Sequence, residues 1–151
     1  MEEIKEQMGL KGRFRIACLR DNEVVEERDV ENTIMNAGIK VITGLMLTDI
    51  GEDAFDYLAV GTSATAPNAT QTALLAQVYR VAGTGSQETD SVTDDSARLT
   101  TSIAITASNS IQEAGIFNST SAGDMLARTT FSAISVNDGD TLNLGYDVVL
   151  S

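Results

Sequence analysis

Thr141-Leu142-Asn143-Leu144-Gly145-Tyr146-Asp147-Val148-Val149-Leu150 is the stretch that decides the fold. Leu142, Leu144, Tyr146, Val148 and Leu150 fall on one side, with Asn143, Gly145 and Asp147 on the other. A repeat of every second residue puts these apolar side chains on a single face, so the segment is a strand with one side buried. The same reading recurs toward the amino terminus. Ile111 to Phe117 and Asp124 to Phe131 are short apolar runs bounded by turn-forming residues. Leu99, Thr101, Ile103 and Ile105 share a face, and Tyr57-Leu58-Ala59-Val60 is a buried strand ended by Gly61. Phe14, Ile16 and Cys18 alternate with Arg13, Arg15 and Ala17. The pattern predicts a mainly β chain, an antiparallel β-sandwich of jelly-roll or immunoglobulin-like kind with one helix and an N-terminal hairpin.

The hairpin turns at Asp21-Asn22. One arm carries Lys11, Arg13, Arg15 and Arg20; the other carries Glu23, Glu26, Glu27 and Glu31. Opposite charges on facing strands contribute about 0.2–1 kcal/mol a pair, so this charge pattern is structural. The period changes over 33–47. Ile34, Val41 and Leu45 fall on one helical face, beside Met35, Ile39, Ile42 and Met46, and Asn32 or Thr33 can cap the start. So broad a stripe is expected to be buried against a sheet, although Gly38 and Gly44 each weaken a helix by about 1 kcal/mol. Residues 62–72 and 83–96 are polar loops, and Thr72 to Arg80 fits either a short helix or a strand.

Register can be argued for two pairings. A symmetric loop at Asn118–Gly123 sets Glu113 opposite Arg128 and Ile116 opposite Met125, which predicts a Glu113–Arg128 ion pair. A loop of odd length around Asn137-Asp138-Gly139-Asp140 sets Ile134 opposite Leu144 and Val136 opposite Leu142, with Gly139 at positive φ. Phe131 and Ile134 differ in parity, so a bulge near Ser132-Ala133 is expected.

Composition narrows the function. The chain has 151 residues, enough for one domain, read as an arm over 1–10 and a single β-rich body over 11–151. It has no His and one Cys, so a Ser-His-Asp triad, a Cys-His dyad, a His-ligated metal, an internal disulfide and an all-cysteine zinc site are excluded. The net charge of −12 opposes binding to a nucleic-acid backbone. Residues 1–40 hold seven basic and nine acidic side chains; residues 41–151 hold three and thirteen. Of the 29 Ser and Thr, 26 follow Gly61. No apolar run approaches the ~20 residues of a membrane helix, and the acidic MEEIKEQMGL does not resemble a secretory leader.

The remaining constellations are weak. Gly83-Thr84-Gly85-Ser86 lacks the pattern and the lysine of a phosphate loop. Asp49, Glu52, Asp53 and Asp56 read as a solvated acidic loop rather than a glycosidase pair. Asp90, Asp94 and Asp95, or Asp138 and Asp140, do not match the twelve-residue calcium loop. Cys18 reads as a small buried hydrophobe. No catalytic residue, cofactor or metal is expected.

A family resemblance enters through several blocks. They are Leu10-Lys11-Gly12-Arg13-Phe14, Val30-Glu31-Asn32-Thr33-Ile34-Met35-Asn36-Ala37-Gly38 and Gly61-Thr62-Ser63-Ala64-Thr65-Ala66-Pro67. Gln112-Glu113-Ala114-Gly115-Ile116-Phe117-Asn118 and Gly123-Asp124-Met125-Leu126-Ala127-Arg128 follow. Over nearly the whole chain this resembles a family of small virion structural proteins of tailed bacteriophages. The resemblance implies a contact role and no catalytic residue. The expectation is a capsid decoration or cement protein on the outer head, bridging major capsid subunits, itself a dimer or trimer. The alternatives are a tail or tail-fibre adaptor and a carbohydrate-binding module. Candidate subunit contacts are Thr62, Ser63, Thr65, Pro67, Asn68 and Thr70 in the first loop, and Thr84, Ser86 and Thr89 in the second.

Overall fold

The computed structural model describes residues 9–47 and 51–150. The described residues fold as two antiparallel five-stranded sheets and one helix, a β-sandwich. The first sheet, sheet A, has β1 (Leu10–Arg20), β2 (Glu23–Glu31), β6 (Thr84–Glu88), β7 (Ser96–Ala104) and β10 (Thr141–Leu150), in the order β2-β1-β10-β7-β6. The second, sheet B, has β3 (Thr33–Ile34), β4 (Tyr57–Gly61), β5 (Gln77–Ala82), β8 (Asn109–Phe117) and β9 (Met125–Val136), in the order β3-β9-β8-β4-β5. Helix α1 spans Asn36–Met46.

The alternating strands meet face to face. Phe14, Ile16 and Cys18 of β1, Leu142, Leu144 and Tyr146 of β10, and Leu99 and Ile103 of β7 project from sheet A. Leu58, Val60, Ile111, Ala114, Ile116, Ile134 and Val136 meet them from sheet B. Each such aliphatic side chain contributes about 1.5–3 kcal/mol on burial. Phe14 and Tyr146 sit directly opposite across the β1–β10 ladder, with ring centroids 4.7 Å apart and tilted by 54°. No helix of the described residues is long and apolar enough to cross a membrane.

The hairpin forms as expected. Asp21 and Asn22 both take positive φ, at 54° and 64°, the geometry of a tight two-residue hairpin turn. The expected charge pairing does not: of the four cations of β1 only Arg13 reaches across to β2, and to Asp29 at 3.1 Å instead of a glutamate, while Glu26 pairs with Arg28 of its own strand at 2.8 Å. Arg15 turns to Asp147 of β10 at 3.2 Å, and Arg20 to Asp140 at 2.8 Å. Strand β1 begins at Leu10, one residue inside the expected arm, of which residues 1–8 lie outside the described set.

Other expectations are corrected. The helix begins at Asn36, not 33, because β-branched Thr33 and Ile34 pair with Arg128 and Ala127 of β9. Its N-cap is Met35, which makes no side-chain cap, so neither Asn32 nor Thr33 plays that part. The apolar stripe is only half covered: Met35, Gly38 and Val41 are buried while Ile39, Leu45 and Met46 are exposed. The second polar loop, 83–96, is strand in its first part, since 84–88 pairs with β7 as β6, an edge strand that needs no apolar alternation; 89–95 remain a loop. The ambiguous segment Thr72 to Arg80 divides, 72–76 belonging to the preceding loop and Gln77 opening β5, and one residue, Gly83, carries the chain from sheet B into sheet A. A Cβ on Gly83 would come within 2.8 Å of Leu99, so this corner requires glycine.

Two further corrections concern register. In the β8–β9 hairpin Gly115, not Glu113, faces Arg128, and Ile116 faces Ala127 while Phe117 faces Met125. The expected irregularity on β9 is present: Glu113 faces Thr130 but Ile111 faces Ile134, which leaves extra β9 residues around Ser132-Ala133. Strands β9 and β10 do not pair at all. They lie in opposite sheets, so Ile134 and Val136 face Leu142 and Leu144 across the core rather than along a ladder. The connection is an arch with Gly139 at φ 93°, held by Asp140, whose carboxylate accepts the Asn137 N–H at 2.8 Å and the Arg20 guanidinium.

Candidate functional site

The outer face of sheet B carries the site. Glu113 and Arg128 are both fully buried there and form an ion pair at 3.1 Å. The pair is diagonal, not directly opposed, and both side chains are long enough to span that offset. Above it runs the segment 62–76. Its ends are close, Thr62 N–H donating to Ala76 C=O at 3.0 Å, which makes it a compact Ω-type loop.

The ion pair fastens this loop from below. Glu113 Oε1 accepts from Arg128 Nε at 3.1 Å and from Leu75 N–H at 2.9 Å. Its Oε2 accepts from Ser63 N–H at 3.0 Å and Ala76 N–H at 2.9 Å. Arg128 Nη1 donates to the Thr65 carbonyl at 2.9 Å and to Gln71 Oε1 at 3.1 Å. A carboxylate placed under backbone donors satisfies a buried turn that has no ladder of its own. Gly61 keeps the access open, since a Cβ there would lie 2.7 Å from Glu113 Oε2. Leu74 then drops from the loop into a second small core of Met35, Ala59, Phe117 and Met125.

Short-range bonds shape the loop itself. Thr65 N–H donates to Ser63 Oγ, and Asn68 Oδ1 accepts both the N–H and the hydroxyl of Thr70. Asn36 at the start of α1 donates its N–H to Ala69 C=O at 2.9 Å, which ties the loop to the helix. Thr65, Asn68 and Thr70 remain exposed, while Thr62, Ser63 and Pro67 are half-buried. Thr84 and Ser86 are not in a loop but on edge strand β6, and exposed Thr89 follows it. The structure thus gathers the first six candidate contacts into one fastened loop and leaves the other three on, or just after, the edge strand β6 of the opposite sheet.

The chemistry available is that of fixed charges. Glu113 is saturated by donors and has no lone pair presented to solvent. Asp95 accepts the N–H groups of Asp90, Ser91 and Val92, and these bonds hold its carboxyl well below the usual carboxylate range. Asp140 is held low by the Arg20 guanidinium and the Asn137 N–H. Asp147 lies between Arg98 at 2.7 Å and Arg15 at 3.2 Å; burial would raise its pKa, but the two arginines lower it overall. Cys18 is buried, and burial with the Asp140 contact pushes its thiol up. Glu52 reaches Lys40 at 3.6 Å, and Asp49 lies outside the described residues. Among the described residues no group of three or more acidic or cysteine side chains is arranged to hold a metal ion.

Sequence reasoning found the ion pair but missed its task. The signal was present: Glu113 is a lone acid among Ile111, Ala114, Gly115, Ile116 and Phe117. An acid on so apolar a strand implies dedicated donors nearby. Arg80 was also missed. Its guanidinium stacks 3.6 Å over the Phe117 ring and donates to the carbonyls of Ser119 and Ala122, fastening the β8–β9 loop. No family model matches the chain, and no curated protein or solved structure matches it either.

Proposed function

We propose that the chain is a structural protein of a tailed-bacteriophage virion, working by surface contact as a capsid decoration protein on the outer head. The observation that carries this reading is the fastened loop. A fully buried ion pair is costly to desolvate, and a hydrophobic pair of similar volume would often be as stable. Here the pair holds the backbone of 62–76 in one shape. Rigid, pre-shaped loops bind with less loss of conformational entropy, which suits a protein whose work is contact. The two sequence blocks most specific to the phage resemblance, GTSATAP and EAGIFN…GDMLAR, supply the two halves of this device.

Further support comes from charge and shape. Net −12 suits the outside of a head and opposes contact with packaged DNA. Among the described residues the body is two five-stranded sheets packed face to face, with no shaft or repeat. All seven aromatic side chains are buried or half-buried, so no face offers the stacking platform of a carbohydrate-binding module. The partners are then the major capsid protein and further copies of this chain. A density map of the virion tests the reading. Copies repeating on the outer head lattice bear it out. Density confined to the tail replaces decoration with a tail-adaptor role, and a virion without the chain overturns both.

A further inference from the structure

We infer that strand β6 is a self-pairing edge, through which two copies join in antiparallel fashion to make one ten-stranded sheet. This deepens the reading of the chain as an oligomeric contact protein and rests on that reading, but not on any position in the virion. Sheet edges are normally blunted by charge, bulges or brevity. Three of the four edges here follow that rule. Strand β2 is dense in Glu, β3 has two residues, and β5 carries Arg80 beside a register irregularity at Val60/Gly61. Strand β6, Thr84-Gly85-Ser86-Gln87-Glu88, has five exposed or half-exposed residues, and among the described residues nothing pairs with its outer side.

The partner follows from charge and from the adjacent surface. A two-fold axis through Ser86 sets Ser86 against its own copy and Thr84 against Glu88, with no like charges opposed. The same operation on β2 about its central Glu27 sets Glu27 against Glu27 and Glu23 against Glu31, which repels. Beside β6 lies an apolar cleft of about 440 Å³, lined by Gly85, Gln87, Leu99, Tyr146, Leu45 and Phe55. Gly85 leaves its side of the strand bare, since a Cβ there would meet only the Arg98 carbonyl, at 3.9 Å. Leu45 is 44% exposed on the cleft wall. Strand pairing continues the sheet across the two-fold and brings the two clefts together, so that Leu45 and Phe55 are covered by the second copy. Main-chain bonds along an edge with an apolar cleft beside it are the elements of strand-addition recognition.

Light scattering and crosslinking on the purified full chain test this. The wild type runs at twice its 16.0 kDa mass. Directly opposed residues of an antiparallel pair have Cα atoms about 4.5–5.5 Å apart, within disulfide reach. Ser86→Cys therefore gives a covalent dimer under a mild oxidant, whereas Glu27→Cys, on the two-fold of the β2 alternative, does not; native Cys18 is fully buried and does not compete. Ser86→Lys sets two cations against each other and weakens the dimer roughly tenfold or more. Its circular dichroism stays that of the wild type. A single 16.0 kDa species at every soluble concentration overturns the inference. So does a dimer that Ser86→Lys leaves intact and Ser86→Cys does not trap. Neither result bears on the virion reading, which the density map decides separately.

Discussion

Glu113→Gln is the substitution that tests the fastened loop most directly. It keeps the shape of the side chain and removes one charge. Four donors converge on the carboxylate: Arg128 Nε and Leu75 N–H on one oxygen, Ser63 and Ala76 N–H on the other. A glutamine amide offers one oxygen and one NH2 group, so in either orientation two donors face another donor. Arg128, fully buried, is left without its counter-charge. Removing one partner of a buried pair costs about 3–5 kcal/mol. In a domain of this length each kcal/mol moves Tm by about 2–4 °C, so a fall of roughly 10 °C is expected. Urea unfolding measures the loss, and hydrogen exchange locates it: the amides of Ser63, Leu75 and Ala76 should lose protection first. Glu113→Gln with Arg128→Met removes the orphaned charge and should cost less than the two single changes together. A Glu113→Gln protein within about 1 kcal/mol of wild type, with those three amides still protected, would refute the reasoning.

Three further outcomes are expected. Gly38→Ala should destabilise by about 1–3 kcal/mol in urea, against helix propensity, because the added Cβ lies 2.7 Å from the Leu126 backbone. Asp140→Asn should lower Tm at neutral pH. The folded pKa of Asp140 lies below its ordinary 3.8, so its contribution is complete above that value and fades as the pH falls through and below it. The gap between Asp140→Asn and wild type should accordingly narrow in acid, and a gap constant from pH 7 to pH 3 would contradict the assignment. Cys18, buried and with its thiol raised, should resist a thiol-reactive dye in the native state and react fully in denaturant. Rapid native labelling would show that β1 and β10 open readily.

What could be read in the sequence was whatever the side-chain period controls. The faces of β1, β7 and β10 followed from alternation alone, and the turn at Asp21-Asn22 from its turn-forming residues. Pairing partners were less legible. Leu142 and Leu144 carry the same apolar pattern whether they lie beside Ile134 in a ladder or opposite it across a core. Local spacing does not separate a hairpin from an arch. Strand β6 was invisible because edge strands of small polar residues have no alternation to detect. Gly38 read as a weak point of the helix, but it is the seat on which α1 meets β9. The donors that hold Glu113 are mostly backbone N–H groups of the loop, which every residue type carries and no composition reveals.

The place of β10 also governs how the molecule can be made. It lies at the centre of sheet A, between β1 and β7, with Leu10 facing Leu150. Among the described residues it is the last strand, so during synthesis β1 waits for this partner until the other described elements have emerged. Sheet B takes all five of its strands from residues 33–136 and has no such dependence. Closing a loop as long as the chain before its contacts can form slows folding. The hairpin of β1 and β2 therefore spends synthesis with the edge of β1 that β10 later takes unpaired. The molecule should assemble as sheet B first, with sheet A completed in one late step.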